Sequence, residues 1–300
     1  MLEHARTGPS APERVVVLGA GGFVGGASAR LLASRGIPVL ALGRARLDLL
    51  APDAGRQLAD RLQAQDTLLV VSALAPCKDA AMLTANLRMM EAVAAALRKV
   101  AVAHVVYISS DAVYRDSATP LEETSCAEPG SLHGAMHLAR ELVLGGAFKG
   151  PLAVLRPSLL YGAADPHNGY GPNRFRRQAA AGQEILLFGE GEERRDHVLI
   201  DDVAELVARV IARRSRGTLN VATGEVHSFR EIAERIAAMF APPARLRSLP
   251  REGPMPHGGY RPFDISACRA AFPDFRYTSL WDGLAIAERD SLAAEGRSRA

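Results

Sequence analysis

The chain has 300 residues, 48% of them hydrophobic and 23% charged, with a formal net charge of +3. A chain of this length can bury about three quarters of its unfolded surface, so one large domain with a smaller one fits best. The positive charge is almost all arginine, lysine standing only at Lys78, Lys99 and Lys149; so mild an excess suits a phosphate-bearing small ligand and does not point to nucleic acid.

Met1 to Pro12 is polar, rich in small breaking residues and without an apolar segment, so residues 1–13 are expected to form a disordered leader. No run approaches the roughly 18 apolar residues of a membrane span, and no membrane partner is expected. Cys77, Cys126 and Cys268 are odd in number, far apart and outside CxxC spacing. Neither a disulfide framework nor a metal site is expected, and a reducing cytoplasm is the natural compartment.

The run Val15-Val16-Val17-Leu18 reads as a buried parallel strand, and it delivers the chain into Gly19, Gly22 and Gly25. Glycines at that spacing allow a sharp turn, a bare-backbone approach to a pyrophosphate and close helix packing. The helix predicted over Phe23–Arg35 would aim its free N–H groups at those phosphates. Gly36 ends it, Ile37–Leu42 reads as a second strand and Arg46–Leu50 as a short third.

Further along, Thr67–Ala73, His104–Ser109 and Leu152–Arg156 read as strands, with helices over Met82–Lys99 and Ser131–Ala147. Strands alternating with helices predict an α/β fold, a Rossmann-type doubly wound parallel sheet. From about Tyr161 the texture shifts to Gly, Pro, Asn and Arg, as expected of a smaller C-terminal α+β substrate domain. The expected division is 14–160 for the dinucleotide-binding domain, with 197–222 returning to it, and 161–196 plus 223–300 for the substrate domain. Ser228-Phe229-Arg230-Glu231 is a capping box opening a helix to Met239; Pro242–Pro262 is proline-rich, and Glu295–Ala300 is expected to fray.

Taken in order, these motifs resemble the extended short-chain dehydrogenase/reductases, the nucleotide-sugar epimerase, dehydratase and reductase group. Gly19, Gly22 and Gly25 fit its GxxGxxG, Asn86 the Asn of its fourth helix, and Ile108-Ser109-Ser110-Asp111-Ala112-Val113-Tyr114 its catalytic-serine strand. Leu155 to Gly162 resembles the crossing into the substrate domain, Arg195 to Val203 the Arg-Asp-x-x-x-Val-Asp-Asp-Val segment, and Asn220 to Gly224 the late strand-turn. The resemblance implies dinucleotide contacts from the glycine run with Phe23 and Val24, from Ala73, Asn86 and Pro157, and from Asp48 near the adenine amine. It also implies a nucleotide-sugar substrate, with Asn173, Arg177 and Arg195 at its end of the cleft, and a homodimer built on the helices over Met82–Lys99 and Ser131–Ala147.

At the catalytic pair the chain departs from this group. Where the group has Tyr-x-x-x-Lys, this sequence reads His133-Gly134-Ala135-Met136-His137. An imidazole with an ordinary pKa near 6.5 passes protons near neutrality without a neighbouring lysine, so His133 could serve as acid/base and His137 as ribose ligand, beside Ser110. The competing reading is a site that has lost hydride chemistry and kept ligand binding, a sensor or scaffold; the i, i+4 histidines also have metal-ligand spacing, without a clear third ligand. Asp111 keeps one carboxyl of the dehydratase pattern while Ala112 replaces the other, which disfavours dehydration and leaves Asp111 as a catalytic carboxyl or a strand-end cap. The second strand ends Leu42-Gly43-Arg44-Ala45-Arg46, with no acid for a ribose 2′-hydroxyl, so Arg44 favours NADP over NAD.

Overall fold

The computed structural model describes the backbone of residues 2–299 and the side chains of residues 2–294. The fraying expected of Glu295–Ala300 lies outside the described side chains.

The first departure from expectation comes at once. The segment read as a disordered leader contributes β1 (Glu3–His4), which pairs antiparallel with the strand holding Ser215 and Arg216. His4 pins it, with one ring nitrogen 2.8 Å from Ser215 Oγ and the other 2.9 Å from the Ala271 carbonyl oxygen. Two residues carry no periodicity, so only this long-range pairing makes them a strand.

β2 (Val15–Leu18) is buried on both faces, Val15 and Val17 in one core and Val16 and Leu18 in another. It is followed by α1 (Phe23–Ser34) and β3 (Val39–Leu42). Arg46–Leu50 is a turn, not the expected strand. Its alternating pattern is real, because Leu47 and Leu49 are buried, but the backbone bonds locally, the N–H groups of Arg46 and Leu47 both donating to the Gly43 carbonyl. α2 (Ala54–Ala59), β4 (Thr67–Val70), α3 (Ala80–Lys99), β5 (His104–Ile108), α4 (Leu132–Ala147) and β6 (Leu152–Pro157) continue the alternation.

β7 (Leu159–Tyr161), α5 (Pro172–Ala180), β8 (Ile185–Phe188), β9 (Arg194–Arg195) and β10 (His197–Leu199) leave the main sheet, and α6 (Ile200–Ala212) with β11 (Ser215–Val221) returns to it. The seven-stranded sheet has the order β1-β11-β6-β5-β4-β2-β3, parallel except for β1. α1 and α6 cover one face; α2, α3 and α4 cover the other. α3 is the one helix among the described residues long and apolar enough to cross a membrane, with a mean hydropathy of 1.2. It packs Met90, Val93 and Leu97 into the core beneath the sheet instead.

The rest comprises β12 (His227–Ser228), α7 (Phe229–Ala237), β13 (Leu246–Leu249), β14 (Tyr260–Arg261), α8 (Ser266–Ala271) and α9 (Leu280–Arg299). Ser228 and Glu231 form the full capping box at the start of α7. Phe175, Ile185, Phe229, Ile232 and Leu284 gather here into a separate core. Residues 223–300 do not all belong to it, because Cys268, Phe272 and Phe275 pack into the main-sheet core beside α6. Their aromatic and thiol surfaces cap the end of that core next to β11.

Candidate functional site

A cleft of about 1090 Å³ runs along the carboxyl ends of β2, β4, β5 and β6 and out between the sheet and the smaller lobe. That is where open α/β sheets bind ligands. Its floor begins at the glycine run. Gly19 has φ +89°, and a Cβ there would sit 2.7 Å from the Ser72 backbone nitrogen; a Cβ on Gly25 would sit 2.2 Å from the Gly19 carbonyl oxygen. Only glycine permits both approaches. α1 then starts at Gly22 without a side-chain cap, which leaves its first N–H groups facing the cleft. This cradle fits a dinucleotide pyrophosphate.

Gly19, Gly22, Phe23, Val24, Ala73 and Pro157 line the cleft, whereas Gly25 lies beneath it and serves the packing of helix on strand. Asn86 does not line it. Its amide is fully used in clasping the loop before α3, accepting from Leu74 N and donating to the carbonyls of Leu74 and Met82, each at 2.9 Å. Arg44 and Asp48 line the far end, joined by a loose 3.4 Å contact, with the Arg44 side chain 75% exposed. Asp48 also accepts from Leu50 N at 3.0 Å, so it shapes the turn as well as facing the cleft.

The opposite wall is made by the end of β5 and the start of α4. Ser110 caps the 3-10 turn Asp111–Val113, its hydroxyl accepting from Ala112 N at 3.1 Å. α4 begins close against that turn because Gly134 has no side chain: a Cβ there would lie 1.9 Å from the Ala112 carbonyl oxygen. His133 and His137 thereby both reach the cleft, their rings edge to face at 4.8 Å between centroids. His133 Nδ1 accepts a long 3.4 Å bond from Cys77 N. Burial lowers the His133 pKa while nearby Asp111 raises it. His137 lies deeper, its Nδ1 2.8 Å from the Tyr107 hydroxyl. Its pKa falls well below the ordinary value, first through burial, then through His133 and Arg140.

Asp111 faces the cleft but is engaged by a residue the sequence reading did not single out. Arg261 is 1% exposed; its Nε donates to Asp111 Oδ2 at 2.8 Å, one terminal nitrogen to the Asp111 carbonyl at 2.6 Å and the other to Asp116 Oδ1 at 2.9 Å. His257 completes the cluster at 2.5 Å from Asp116. Asp111 is therefore the counter-ion of a buried guanidinium as well as a turn residue.

At the outer end Asn173 and Arg195 line the cleft, and Arg177 does not. Arg177 is turned back to Asn168 and the Asp165 carbonyl, and Arg176 is spent on Glu288. Asn173 donates and accepts at the Leu160 carbonyl and Gly162 N, and Arg195 bonds Glu193 at 3.2 Å. His197 also lines this end, buried, with neither ring nitrogen in hydrogen-bond geometry with any described partner. Among the described residues no cluster of three metal-ligating side chains forms around His133 and His137 or elsewhere.

Set beside known proteins, residues 15–222 match the model of the NAD dependent epimerase/dehydratase family, more than half of the chain. The chain belongs to this family. A dTDP-4-dehydro-6-deoxy-D-allose reductase from Streptomyces bikiniensis is 26% identical over 276 residues, covering 78% of this chain and 83% of the reductase. Two solved structures share the fold. One is a UDP-glucuronic acid 4-epimerase from Bacillus cereus in complex with UDP-glucuronic acid and NAD, with TM-score 0.81 and 20% identity over 94% of this chain and 99% of that one. The other is an epimerase from Methanothermobacter thermautotrophicus, with TM-score 0.84 and 19% identity over 96% and 95%.

Proposed function

We propose that this cleft binds NADP or NAD together with a nucleoside-diphosphate sugar and carries out redox epimerisation or ketone reduction at a sugar carbon. The observation that carries the reading is the convergence, in one cleft, of the glycine cradle, the Ser110–His133 wall and Arg195. The sugar derivatives named in the relatives, among them UDP-glucuronic acid and a dTDP-linked deoxyhexose, support that substrate class. Arg44, with no acid at the end of β3, supports NADP. Helix surfaces bearing Leu142 (69% exposed) and Val143 on α4 support a homodimer through α3 and α4, which size-exclusion chromatography with light scattering would test.

The dinucleotide, when bound, supplies hydride exchange; the chain's own residues supply the proton chemistry. Ser110 donates to the reacting oxygen once its hydroxyl leaves the 3.4 Å contact with Asp111 Oδ1. His133, neutral with Nδ1 as acceptor, carries its proton on Nε2. It takes up a substrate hydroxyl proton at Nδ1 by giving up the weak Cys77 contact, and the imidazolium so formed is favoured by Asp111. Arg195 offers a planar guanidinium to the diphosphate.

The test is calorimetric titration with NADP(H) and NAD(H), then turnover assays with UDP- and dTDP-linked sugars and keto-sugars. His133→Ala should abolish turnover and leave dinucleotide affinity within about twofold; undiminished turnover would remove His133 from the reaction. A second reading, a dinucleotide-binding sensor or scaffold without turnover, draws on the depressed pKa of both histidines, which withholds the imidazolium acid near neutrality. Tight cofactor binding with no turnover on any of these substrates would favour it.

A further inference from the structure

Tyr107 sits on β5 on the sheet face that α3 and α4 cover, and its hydroxyl is 2.8 Å from Nδ1 of His137. Both side chains are buried, and the hydroxyl has no other hydrogen-bond partner among the described residues. The bond can run in two directions. If Nδ1–H donated to the phenolic oxygen, the phenolic proton would be left buried with nothing to accept it. If the hydroxyl donates to a bare Nδ1, no proton is stranded. The second arrangement therefore prevails, and a neutral ring accepting at Nδ1 must carry its proton on Nε2. Burial, which raises the Tyr107 hydroxyl to about 12, keeps that hydroxyl a donor across the neutral range.

Arg140 closes off the imidazolium. It is fully buried, one turn beyond Met136 on α4, and forms no ion pair with a carboxylate among the described residues. Its guanidinium donates to the Ser72 carbonyl at 2.6 Å and lies 5.3 Å from the centroid of the Tyr107 ring, fixing ring and charge together beneath His137. A buried cation at that place repels a second positive charge on His137. We propose that Tyr107 and Arg140 are positioning residues that hold His137 as the neutral Nε2–H tautomer, a fixed hydrogen-bond donor to the ribose hydroxyls of the dinucleotide at the position where the family pattern has lysine. The donor role rests on the function proposed above; the tautomer does not. Ammonium charge and donor, which one lysine would combine, are here divided between Arg140 and His137.

The experiment is a long-range ¹H–¹⁵N correlation spectrum of the full-length protein labelled on histidine, without cofactor, near pH 7. His137→Gln assigns the resonance, and the same samples are titrated with NADP(H) and NAD(H). The wild type should show the Nε2–H pattern for His137. Tyr107→Phe, which removes a single oxygen, should give a mixed or Nδ1–H pattern and weaken dinucleotide binding about five- to tenfold, the size of one lost donor. Arg140→Met should raise the pH at which His137 protonates; should that variant not fold, Tyr107→Phe alone decides. An Nδ1–H or imidazolium signal in the wild type, or a Tyr107→Phe spectrum and affinity unchanged, overturns the proposal. A wild type that shows the Nε2–H pattern but binds no dinucleotide would overturn the donor role and the functional reading, with the tautomer assignment intact.

Discussion

Replacing Arg261 with methionine tests whether the Asp111 cluster is held by its buried guanidinium. Arg261 places three donors within 2.6–2.9 Å of Asp111 and Asp116 while its own side chain is 1% exposed. The two carboxylates are not equivalent. The Asp116 side chain is 57% exposed, so water replaces most of what it loses; the Asp111 side chain is 9% exposed and would be left charged in a protein interior. Removing one partner of a buried pair typically costs about 3–5 kcal/mol, most of it the stranded charge. Against the roughly 5–15 kcal/mol of a whole domain, that is a large fraction. Urea unfolding followed by circular dichroism and by the fluorescence of the single tryptophan, Trp281, should show Arg261→Met losing this amount. Asp111→Asn leaves the guanidinium the Asp116 carboxylate and the residue 111 carbonyl, and should lose a smaller amount. The double variant should be more stable than the sum of the two losses allows by at least about 2 kcal/mol. A loss below about 1 kcal/mol for Arg261→Met, or strict additivity, would show that the pair is exchanged for water at little cost and that the reasoning is wrong.

Stability should fall on acidification below about pH 6.5. His104 is buried with its pKa depressed to about 4, first by burial and then by the cations Arg214 and Arg6, so between those values the unfolded chain binds a proton that the folded chain refuses. The gap of about 2.5 pH units, at about 1.4 kcal/mol each, comes to about 3 kcal/mol. His197, depressed to about 3, acts in the same direction, and a flat profile of urea midpoints from pH 7 to pH 4.5 would contradict both. His197→Phe keeps the ring contact to Phe229 and removes two unpartnered nitrogens, so it should raise the unfolding free energy by about 1 kcal/mol, read from the same urea midpoints; a loss would mean the imidazole has a partner in solution. Gly134→Ala forces a Cβ to 1.9 Å from the Ala112 carbonyl and should cost about 3 kcal/mol by chemical denaturation, whereas Gly130→Ala, with nothing within 4 Å of its Cβ, should cost little.

What the sequence made legible follows from how far apart the interacting residues lie. The glycine cradle is local: strand, turn and helix start occupy eleven residues, and their spacing alone states the geometry. The His133–His137 pair was equally legible, because one helical turn puts i and i+4 on one face and Ser110 is only a strand end away. The family resemblance assigns Asn86 to the cofactor, yet an amide suits a loop clasp equally well, and its three bonds to Leu74 and Met82 use it that way. The arginines of α5 show the same ambiguity: a helix carrying Arg174, Arg176 and Arg177 presents them in different directions, and Asp165, Asn168 and Glu288 capture two of them. Arg261 lay out of reach, 150 residues from Asp111 in a stretch whose composition announces only prolines.

That last contact changes the chemistry assigned to the site. Read from the sequence, Asp111 is a carboxyl at the end of the serine strand, free to serve as a catalytic acid or merely to cap it. Its Oδ2 accepts from Nε of a buried guanidinium and its backbone carbonyl from a terminal nitrogen of the same group, so the carboxyl is engaged by Arg261 and not free in the cleft. Its negative charge acts instead on His133, whose protonated form it favours against burial. Under the function proposed above, the pairing makes Asp111 electrostatic support for His133, and it ties the C-terminal β14, through Arg261, to the Ser110–His133 wall of the cleft.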